Sequence, residues 1–260
     1  MPEHSRKRRT GWLIVMILSL LLLIAVLVAG ILYLIPWLAG GHEVPFSSTV
    51  ESEISEVSEP VILPDNPIDF ATLQAKNPEI IGWIRMPGTV IDYPVMQSGP
   101  KTEENFYLSH DPDRKKYRPG SIYIQRCNAT EFTDPNTVIY GHNMKSGAMF
   151  AALYKMRNAT FFKEHEYLTI YTPGHILTYR VYAAFVYDDR HIINSFNFRD
   201  RSQFGIFLEE TLNPSSIKRN VREGVEVTTN DRIITMSTCT TNPNKRYLVT
   251  AVLIGDELTK

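Results

Sequence analysis

Short runs rich in β-branched and aromatic residues, separated by Gly, Pro, Asn and Asp, fill most of the chain after residue 80. Such runs are typical of β-strands bounded by turns. Many short strands at this spacing predict a closed or nearly closed sheet rather than alternating strands and helices. The nine runs are Ile80–Met86, Thr89–Asp92, Pro94–Gln97, Ser121–Gln125, Thr137–His142, Tyr167–Tyr171, Ile176–Tyr187, Arg232–Cys239 and Arg246–Ile254.

Three stretches of helical character interrupt these strands. Pro67–Asn77 carries an approximate apolar stripe, begins with a proline suited to a first turn, and ends at the dipeptide Asn77-Pro78. The other two stretches are Gly147–Met156 and Asp200–Leu212. The pattern therefore predicts a mainly β domain with a few helices at its periphery.

The N-terminal part of the chain has a different pattern. Trp12–Leu38 contains no charged residue, follows the basic run Arg6–Arg9, and precedes Lys76, the next Lys or Arg. A helix of roughly 20 apolar residues crosses a bilayer, and basic residues favour the cytoplasmic side. We therefore predict a cytoplasmic basic tail at 1–10 and a single-pass transmembrane anchor at 11–38, with the C-terminal bulk outside. The alternative is a cleaved signal peptide, whose apolar region is typically only about 7–15 residues long.

Residues 39–66 have the composition of an extracellular linker. Glu, Asp, Ser and Pro are frequent there, and Lys and Arg do not occur. Such a segment buries too little apolar surface to offset its chain entropy. Residues 67–260 then suit a single domain. From residue 66 onward, 23 Lys and Arg nearly balance 21 Asp and Glu, which gives no support to a nucleic-acid partner.

The chain contains two cysteines, Cys127 and Cys239. In an oxidising exterior they could form a disulfide, or one could be reactive while the other is incidental. A domain of this size can form a stable hydrophobic core without a disulfide bond, so we favour two thiols that do not pair with each other.

Cys239 is the stronger candidate for chemistry because of its place in a predicted hairpin. It ends one predicted strand, the turn residues Asn242-Pro243-Asn244 reverse the chain, and Arg246 opens the next strand. Residues that face each other across such a hairpin lie roughly 4.5–5.5 Å apart. His142, far upstream, supplies an imidazole. A thiol, a proton-transfer group and a fixed cation are the parts needed for acyl transfer.

Taken singly, each of these residues has an ordinary structural interpretation. A cysteine at a strand end is more often a small buried hydrophobic residue than a nucleophile. Arg246 could lie on a solvated edge, and His142 could cap a backbone group. Their order and surroundings decide between the two interpretations.

Three segments that contain these residues carry a longer pattern. The first, Thr137-Val-Ile-Tyr-Gly-His142-Asn-Met-Lys-Ser-Gly-Ala-Met-Phe150, resembles the histidine segment of class B sortases. Ile234-Thr-Met-Ser-Thr-Cys239-Thr is similar to their cysteine strand, with Met236 in place of the usual Leu, and Arg246-Tyr-Leu-Val is similar to their arginine strand. The resemblance covers nearly all of Ile68–Asp256 and includes two upstream segments, Ile80–Val95 and Phe106–Asp111.

The resemblance implies an eight-stranded β-barrel with an N-terminal helix and a long helix before a late strand. It implies Cys239 as nucleophile, His142 as acid–base partner and Arg246 as the oxyanion or substrate-positioning group. Tyr140, Ser237 and Thr238 are candidates for substrate contact, and the helix at Asp200–Leu212 and the loop before it are expected to border the substrate groove. No organic cofactor and no metal is expected.

The expected function is that of a membrane-anchored cysteine transpeptidase on a Gram-positive-type surface. It would cleave a C-terminal sorting motif of secreted proteins through a thioester and transfer the acyl group to a cell-wall or pilin amine. One alternative is a cysteine L,D-transpeptidase, which resembles a different pattern, with Gly before the cysteine where this chain has Thr238. The other is an anchored β-domain that binds a partner without chemistry.

Overall fold

A computed structural model of the chain describes residues 23–26, 28–29 and 63–260. The predicted tail at 1–10 lies outside the described residues. The predicted anchor at 11–38 also lies outside them, apart from the six residues just named, which are helical.

The predicted linker at 39–66 lies outside the described residues except for its last four positions, 63–66. In the part of the chain that the structure describes, no helix combines the length and the apolar character needed to cross a membrane. Contacts divide the chain into two units, Met1–Val61 and Ile62–Lys260. All of the strands found in the described residues belong to the second unit.

Within residues 63–260, nine strands form one sheet. They are β1 (Ile80–Arg85), β2 (Asp92–Gln97), β3 (Ile122–Ile124), β4 (Asn136–Tyr140), β5 (Tyr167–Thr172), β6 (His175–Asp188), β7 (Arg219–Val221), β8 (Ile233–Cys239) and β9 (Lys245–Leu258). The sheet order is β5-β1-β2-β3-β4-β8-β9-β6-β7, and an additional β5–β6 pairing closes eight of the strands into a ring, with β7 attached to the later half of β6. The predicted eight-stranded barrel is therefore confirmed.

In residues 63–260, one helix precedes the first strand and the other helical segments lie between later strands. An Asp69 side chain that accepts from the Thr72 amide caps the N-terminal helix, and the Asp200 carboxylate caps the longest one in the same way. The α-helices are α1 (Phe70–Lys76), α2 (Ala159–Glu164), α3 (Ile192–Ser195) and α4 (Arg201–Leu212), and 3-10 segments occupy Phe106–Leu108 and Phe150–Arg157.

Two local predictions were wrong. Thr89–Asp92 was predicted as a strand, but the amide of Met86 donates to Ile91 O across a tight turn, and only Asp92 belongs to β2. Gly147–Met156 was predicted as a helix, but Gly147 and Met149 have positive φ angles (83° and 56°), which α-helix excludes. A 3-10 segment begins only at the next residue. Both errors lie in turns whose hydrogen bonds a periodicity argument does not detect.

The start of α1 and three further elements also differ from the prediction. Asp69 caps α1, so the helix begins three residues after Pro67. The short elements α2, α3 and β7 have no counterpart in the predicted pattern. Each is six residues or fewer, which is too short to show a hydrophobic period.

Side-chain alternation separates two hydrophobic clusters on either side of the late strands. Ile234 and Met236 of β8 face the barrel interior, while Ile233 packs on the other side, against a cluster that contains Phe204 and Phe207 of α4. The same alternation holds on β9, where Leu248 belongs to the helix-facing cluster. Strands buried on both faces give a rigid support for the residues at their ends.

Candidate active site

The hairpin of β8 and β9 places Cys239 opposite Arg246. The two residues are direct cross-strand partners, and the Thr240 amide donates to Lys245 O at 3.4 Å just beyond them. This bond makes Cys239 and Arg246 a non-hydrogen-bonded pair, in which the Cα atoms lie about 4.5 Å apart and the side chains are closest. The sequence prediction for the hairpin geometry is therefore correct.

The backbone of the turn holds the Arg246 guanidinium. Its Nη1 donates to Pro243 O at 2.8 Å and to Lys245 O at 3.0 Å. Two bonds on one nitrogen restrict the side chain and leave its remaining N–H groups for other partners. Arg246 thus supplies a permanent, oriented positive charge beside an exposed thiol.

His142 reaches the same place from the end of β4. The Gly141 amide continues the β4–β8 ladder by donating to Ser237 O at 3.2 Å, and the His142 Nε2 lies 2.8 Å from Leu108 O. A carbonyl can only accept, so Nε2 carries the hydrogen. In the neutral imidazole Nδ1 then holds the lone pair and can take a proton.

Gly141 is needed for this approach. A Cβ at this position would lie 2.5 Å from Ile122 Cδ1 and 2.7 Å from Phe150 Cγ, both inside any tolerable contact distance. The close packing of β3 and the 3-10 segment against the backbone therefore excludes a side chain. This packing also fixes the direction of the backbone at Gly141, immediately before His142.

A cavity of about 360 Å³ brings the predicted site residues together. Asn105, Leu108, Tyr123, Gln125, Gly141 and the segment Asp189–Ile192 complete its wall. None of these wall residues was named individually from the sequence as a site residue, because most lie in loops without a hydrophobic period. The loop before the helix at Asp200–Leu212 was expected to border the substrate groove, and its residues Asp189–Ile192 do line the cavity. The sortase-like segments around Leu108 and Gly141 gave a further signal. The six predicted residues that line the cavity are Tyr140, His142, Ser237, Thr238, Cys239 and Arg246.

Strand alternation distinguishes among the three predicted contact residues. Ser237 lies two positions before Cys239 on β8, so both side chains leave the same face of the sheet. Tyr140 belongs to the same face, since it packs against the helix-facing cluster. Thr238 has the opposite parity, and its buried hydroxyl has no hydrogen-bond partner within the described residues. Ser237 and Tyr140 are therefore better placed for substrate contact than Thr238.

The rings of two tyrosines, Tyr123 and Tyr140, form part of the cavity wall. The Tyr123 and Tyr140 rings lie 5.5 Å apart, and burial raises the pKa of Tyr123 to about 12, with the charges of Glu104 and Cys239 adding to the effect. Burial also raises the pKa of Tyr140 well above its usual range. Both phenols are therefore neutral at physiological pH. The Tyr140 hydroxyl is buried and lacks a hydrogen-bond partner among residues 63–260.

The second cysteine lies elsewhere. Cys127 lines a different cavity, of about 400 Å³, beside residues 193–199. Burial raises the pKa of its thiol. Within the described residues neither cysteine forms a disulfide, and no group of three or more His, Cys, Asp or Glu side chains could hold a metal ion.

Comparisons with known proteins agree with this geometry. A family model described as a sortase domain matches residues 84–254. Sortase B of Listeria monocytogenes is 38% identical over 176 residues, which cover 66% of this chain and 68% of that protein. Sortase B of Staphylococcus aureus is 31% identical over 188 residues, which cover 71% and 74%. A solved Staphylococcus aureus sortase B–substrate complex has a TM-score of 0.63 and 30% identity, and the match covers 71% of this chain and 84% of that one.

Proposed function

The chain belongs to the class B sortases and is a cysteine transpeptidase, and we propose that Cys239, His142 and Arg246 perform its reaction. The observation that carries the proposal is the direct pairing of Cys239 with Arg246 at the end of a hairpin whose cavity also receives His142. In this arrangement Cys239 is the nucleophile, His142 transfers protons, and Arg246 stabilises negative charge on oxygen.

Acylation begins when the Cys239 thiol gives its proton to His142 Nδ1 and the sulfur attacks the carbonyl carbon of the sorting motif. The carbonyl oxygen becomes negative in the tetrahedral intermediate, and the proposed role of the Arg246 guanidinium, which is permanently charged, is to stabilise this charge. The carbon–nitrogen bond then breaks, His142 returns the proton to the leaving amine, and a thioester remains on Cys239.

Transfer repeats the sequence with an incoming amine. The amine attacks the thioester carbon and gives a proton to His142, the carbon–sulfur bond breaks, and the thiol is restored. Water competes for the same thioester, so hydrolysis is the side reaction when no amine is present. No cofactor takes part in either half of this scheme.

The proposed substrates are secreted proteins with a C-terminal sorting motif, and the proposed acceptor is a cell-wall amine or a pilin lysine. A peptide that enters the cavity meets a wall that includes Tyr140 and Ser237, on the face of the sheet that carries Cys239. The similar Staphylococcus aureus structure is a sortase B–substrate complex. This likeness supports a peptide substrate in the corresponding cavity.

We further propose that residues 11–38 anchor the protein in the cell membrane, with the catalytic domain outside. The support is the uncharged apolar run and the basic residues that precede it. Labelling of intact cells with a membrane-impermeant thiol reagent tests this orientation. Modification of Cys239 before lysis is expected, and modification only after lysis would refute the orientation.

Product analysis tests the reaction. The full-length protein, in mild detergent, is incubated with peptides of the form Asn-Pro-x-Thr-x and Leu-Pro-x-Thr-x, with and without a glycine or lysine amine. The wild type is expected to release the C-terminal fragment and, with amine, to form the joined product. The Cys239→Ala protein should form neither. Equal product from both proteins would exclude Cys239 as the nucleophile.

A further inference from the structure

The backbone carbonyl of Cys239 lies where the β4–β8 ladder ends. The last pair in the ladder is Tyr140 with Ser237, followed by the Gly141 amide that donates to Ser237 O. In a strand the carbonyls of alternate residues point to the same edge, so Cys239 O extends beyond β4 in the direction of Ser237 O. A carbonyl in that position needs donors from outside the ladder.

Two side chains supply those donors. Asn143 Nδ2 donates to Cys239 O at 3.0 Å, and the Tyr154 hydroxyl donates to the same oxygen at 3.2 Å. A carbonyl oxygen has two lone pairs, so the two bonds saturate it. The end of the strand that carries the thiol is thus held by side chains and not by a neighbouring strand.

Both donors belong to the segment that carries His142. Asn143 comes directly after the histidine and forms an isolated bridge with Met149, while His142 O accepts from the Phe150 amide at 3.0 Å. These bonds close the loop on itself. Through Asn143, the position of the thiol-bearing backbone is therefore tied to the position of the imidazole-bearing backbone.

Tyr154 adds a link to the third catalytic element. Its ring stacks on Tyr247 with 4.8 Å between centroids and 21° between planes, and Tyr247 comes directly after Arg246 on β9. Tyr247 is fully buried, so the stack rests on a rigid surface. One phenol thus contacts the cysteine strand through its hydroxyl and the arginine strand through its ring.

We propose that Asn143 and Tyr154 are positioning residues that hold the end of β8 while the thioester forms and breaks. They act through the Cys239 backbone and need not contact the substrate. The inference rests on the proposed role of Cys239 as nucleophile. Reaction rates depend steeply on such placement, since a displacement of about 1 Å can cost on the order of 100-fold.

Asn143 and Tyr154 both donate to Cys239 O, so their effects on the rate should be coupled. When one donor is removed, the other still holds the oxygen, so each single variant should lose only about threefold in kcat. When both are removed, the loss should exceed the product of the single losses and reach about 30-fold, because residues on one acceptor are coupled. KM should change less than twofold, since substrate contacts are intact.

The test measures transpeptidation kinetics for the full-length protein and for Tyr154→Phe, Asn143→Ala and the double variant. Tyr117→Phe, at an exposed tyrosine, is the matched control and should have wild-type kcat. Thermal midpoints within about 2 °C of wild type would separate positioning from loss of fold. If Asn143→Ala unfolds the protein, the isosteric Asn143→Asp replaces it, since a carboxylate cannot donate.

Wild-type kcat in the double variant would overturn the inference. So would a loss of kcat that is accompanied by an equal rise in KM or by a large fall in the thermal midpoint, because a merely structural role gives that result. Cys239→Ala is measured in the same series. If it remains active, the proposed nucleophile is wrong. If it is inactive while the double variant is fully active, only the positioning role fails.

Discussion

Replacing Glu79 with glutamine tests how firmly the segment that anchors the catalytic histidine is held. The Glu79 carboxylate accepts from the Gly99 amide at 2.7 Å, from Thr102 Oγ1 at 2.6 Å and from the Tyr107 hydroxyl at 2.5 Å, and it also pairs with Arg114. These four donors come from the segment whose Leu108 carbonyl bonds the His142 imidazole. One carboxylate therefore organises the loop.

The size of the effect depends on which bonds glutamine can keep. The side-chain amide oxygen can still accept on one side, but its NH₂ group faces the two donors on the other, Tyr107 and Arg114. Hydrogen bonds to charged groups contribute about 1.5–3 kcal/mol each, so losing two costs about 3 kcal/mol. The Glu79 side chain is only 12% exposed, but that of Arg114 is 44% exposed and can be solvated, so each bond is taken at the low end of this range. For a unit of this size the thermal midpoint should fall by roughly 6–12 °C.

The pH dependence provides a second, independent measurement. Burial alone would raise the pKa of Glu79, but the hydrogen bonds from Thr102, Tyr107 and Gly99 and the charge of Arg114 more than offset it, so the pKa is lowered. A carboxyl group whose pKa is lowered in the folded state stabilises the fold at pH values above its unfolded-state pKa of about 4.3. This contribution to stability is lost as the pH falls through the folded-state pKa. The stability gap between wild type and Glu79→Gln should thus narrow below about pH 4.

Denaturant unfolding of both proteins at several pH values measures this gap directly. Glu103→Gln, an exposed glutamate on the same segment, is the matched control and should change stability by less than about 0.5 kcal/mol. A gap below about 1 kcal/mol at pH 7 would refute the assignment of Glu79 as the centre of the network. A gap that stays constant down to pH 3 would refute the contribution of its charge.

Three further substitutions test separate parts of the account. Gly141→Ala should lower kcat at least about tenfold and destabilise the protein by about 1–3 kcal/mol, because the new Cβ would lie 2.7 Å from Phe150 Cγ. A wild-type kcat would show that the loop relaxes to accommodate the methyl group. Arg246→Lys keeps the positive charge but removes the planar set of guanidinium N–H donors, so kcat should fall on the order of 100-fold in a peptide assay. An unchanged kcat would mean that only the charge at this position matters. Asp200→Ala removes the cap of α4 and should cost about 1 kcal/mol in chemical denaturation without changing KM; no change in stability would mean that the cap is dispensable.

The sequence was informative where one hydrophobic period or one turn determined the structure. The hairpin from Cys239 to Arg246 was predicted from strand composition and from Asn242-Pro243-Asn244, and its register places the two residues opposite each other. The barrel class was predicted from the number and spacing of short strands. The long helix was predicted at Asp200–Leu212, and it begins one residue later, after its cap.

The remainder depends on contacts between distant segments, which no local pattern encodes. The bond from His142 to Leu108 O joins residues 34 positions apart, and the Asn143 bond to Cys239 O spans 96. The Gly147–Met156 stretch looked helical by composition. In the structure the chain turns before residue 150, and Tyr154 forms a hydrogen bond to Cys239 O of the cysteine strand. Likewise the loop before α4 was expected to border the groove, but only the assembled barrel determines that Asp189–Ile192 are the residues that line the cavity.

The most direct test of the central claim is to find where the acyl group resides during turnover. The full-length protein is mixed with a sorting-motif peptide in the absence of an amine, quenched in acid within seconds, and analysed by intact mass and peptide mapping. The wild type and the Cys127→Ala protein should carry the peptide acyl mass on the peptide that contains Cys239, and Cys239→Ala should carry none. An adduct on Cys127, or an adduct that persists in Cys239→Ala, would contradict the account.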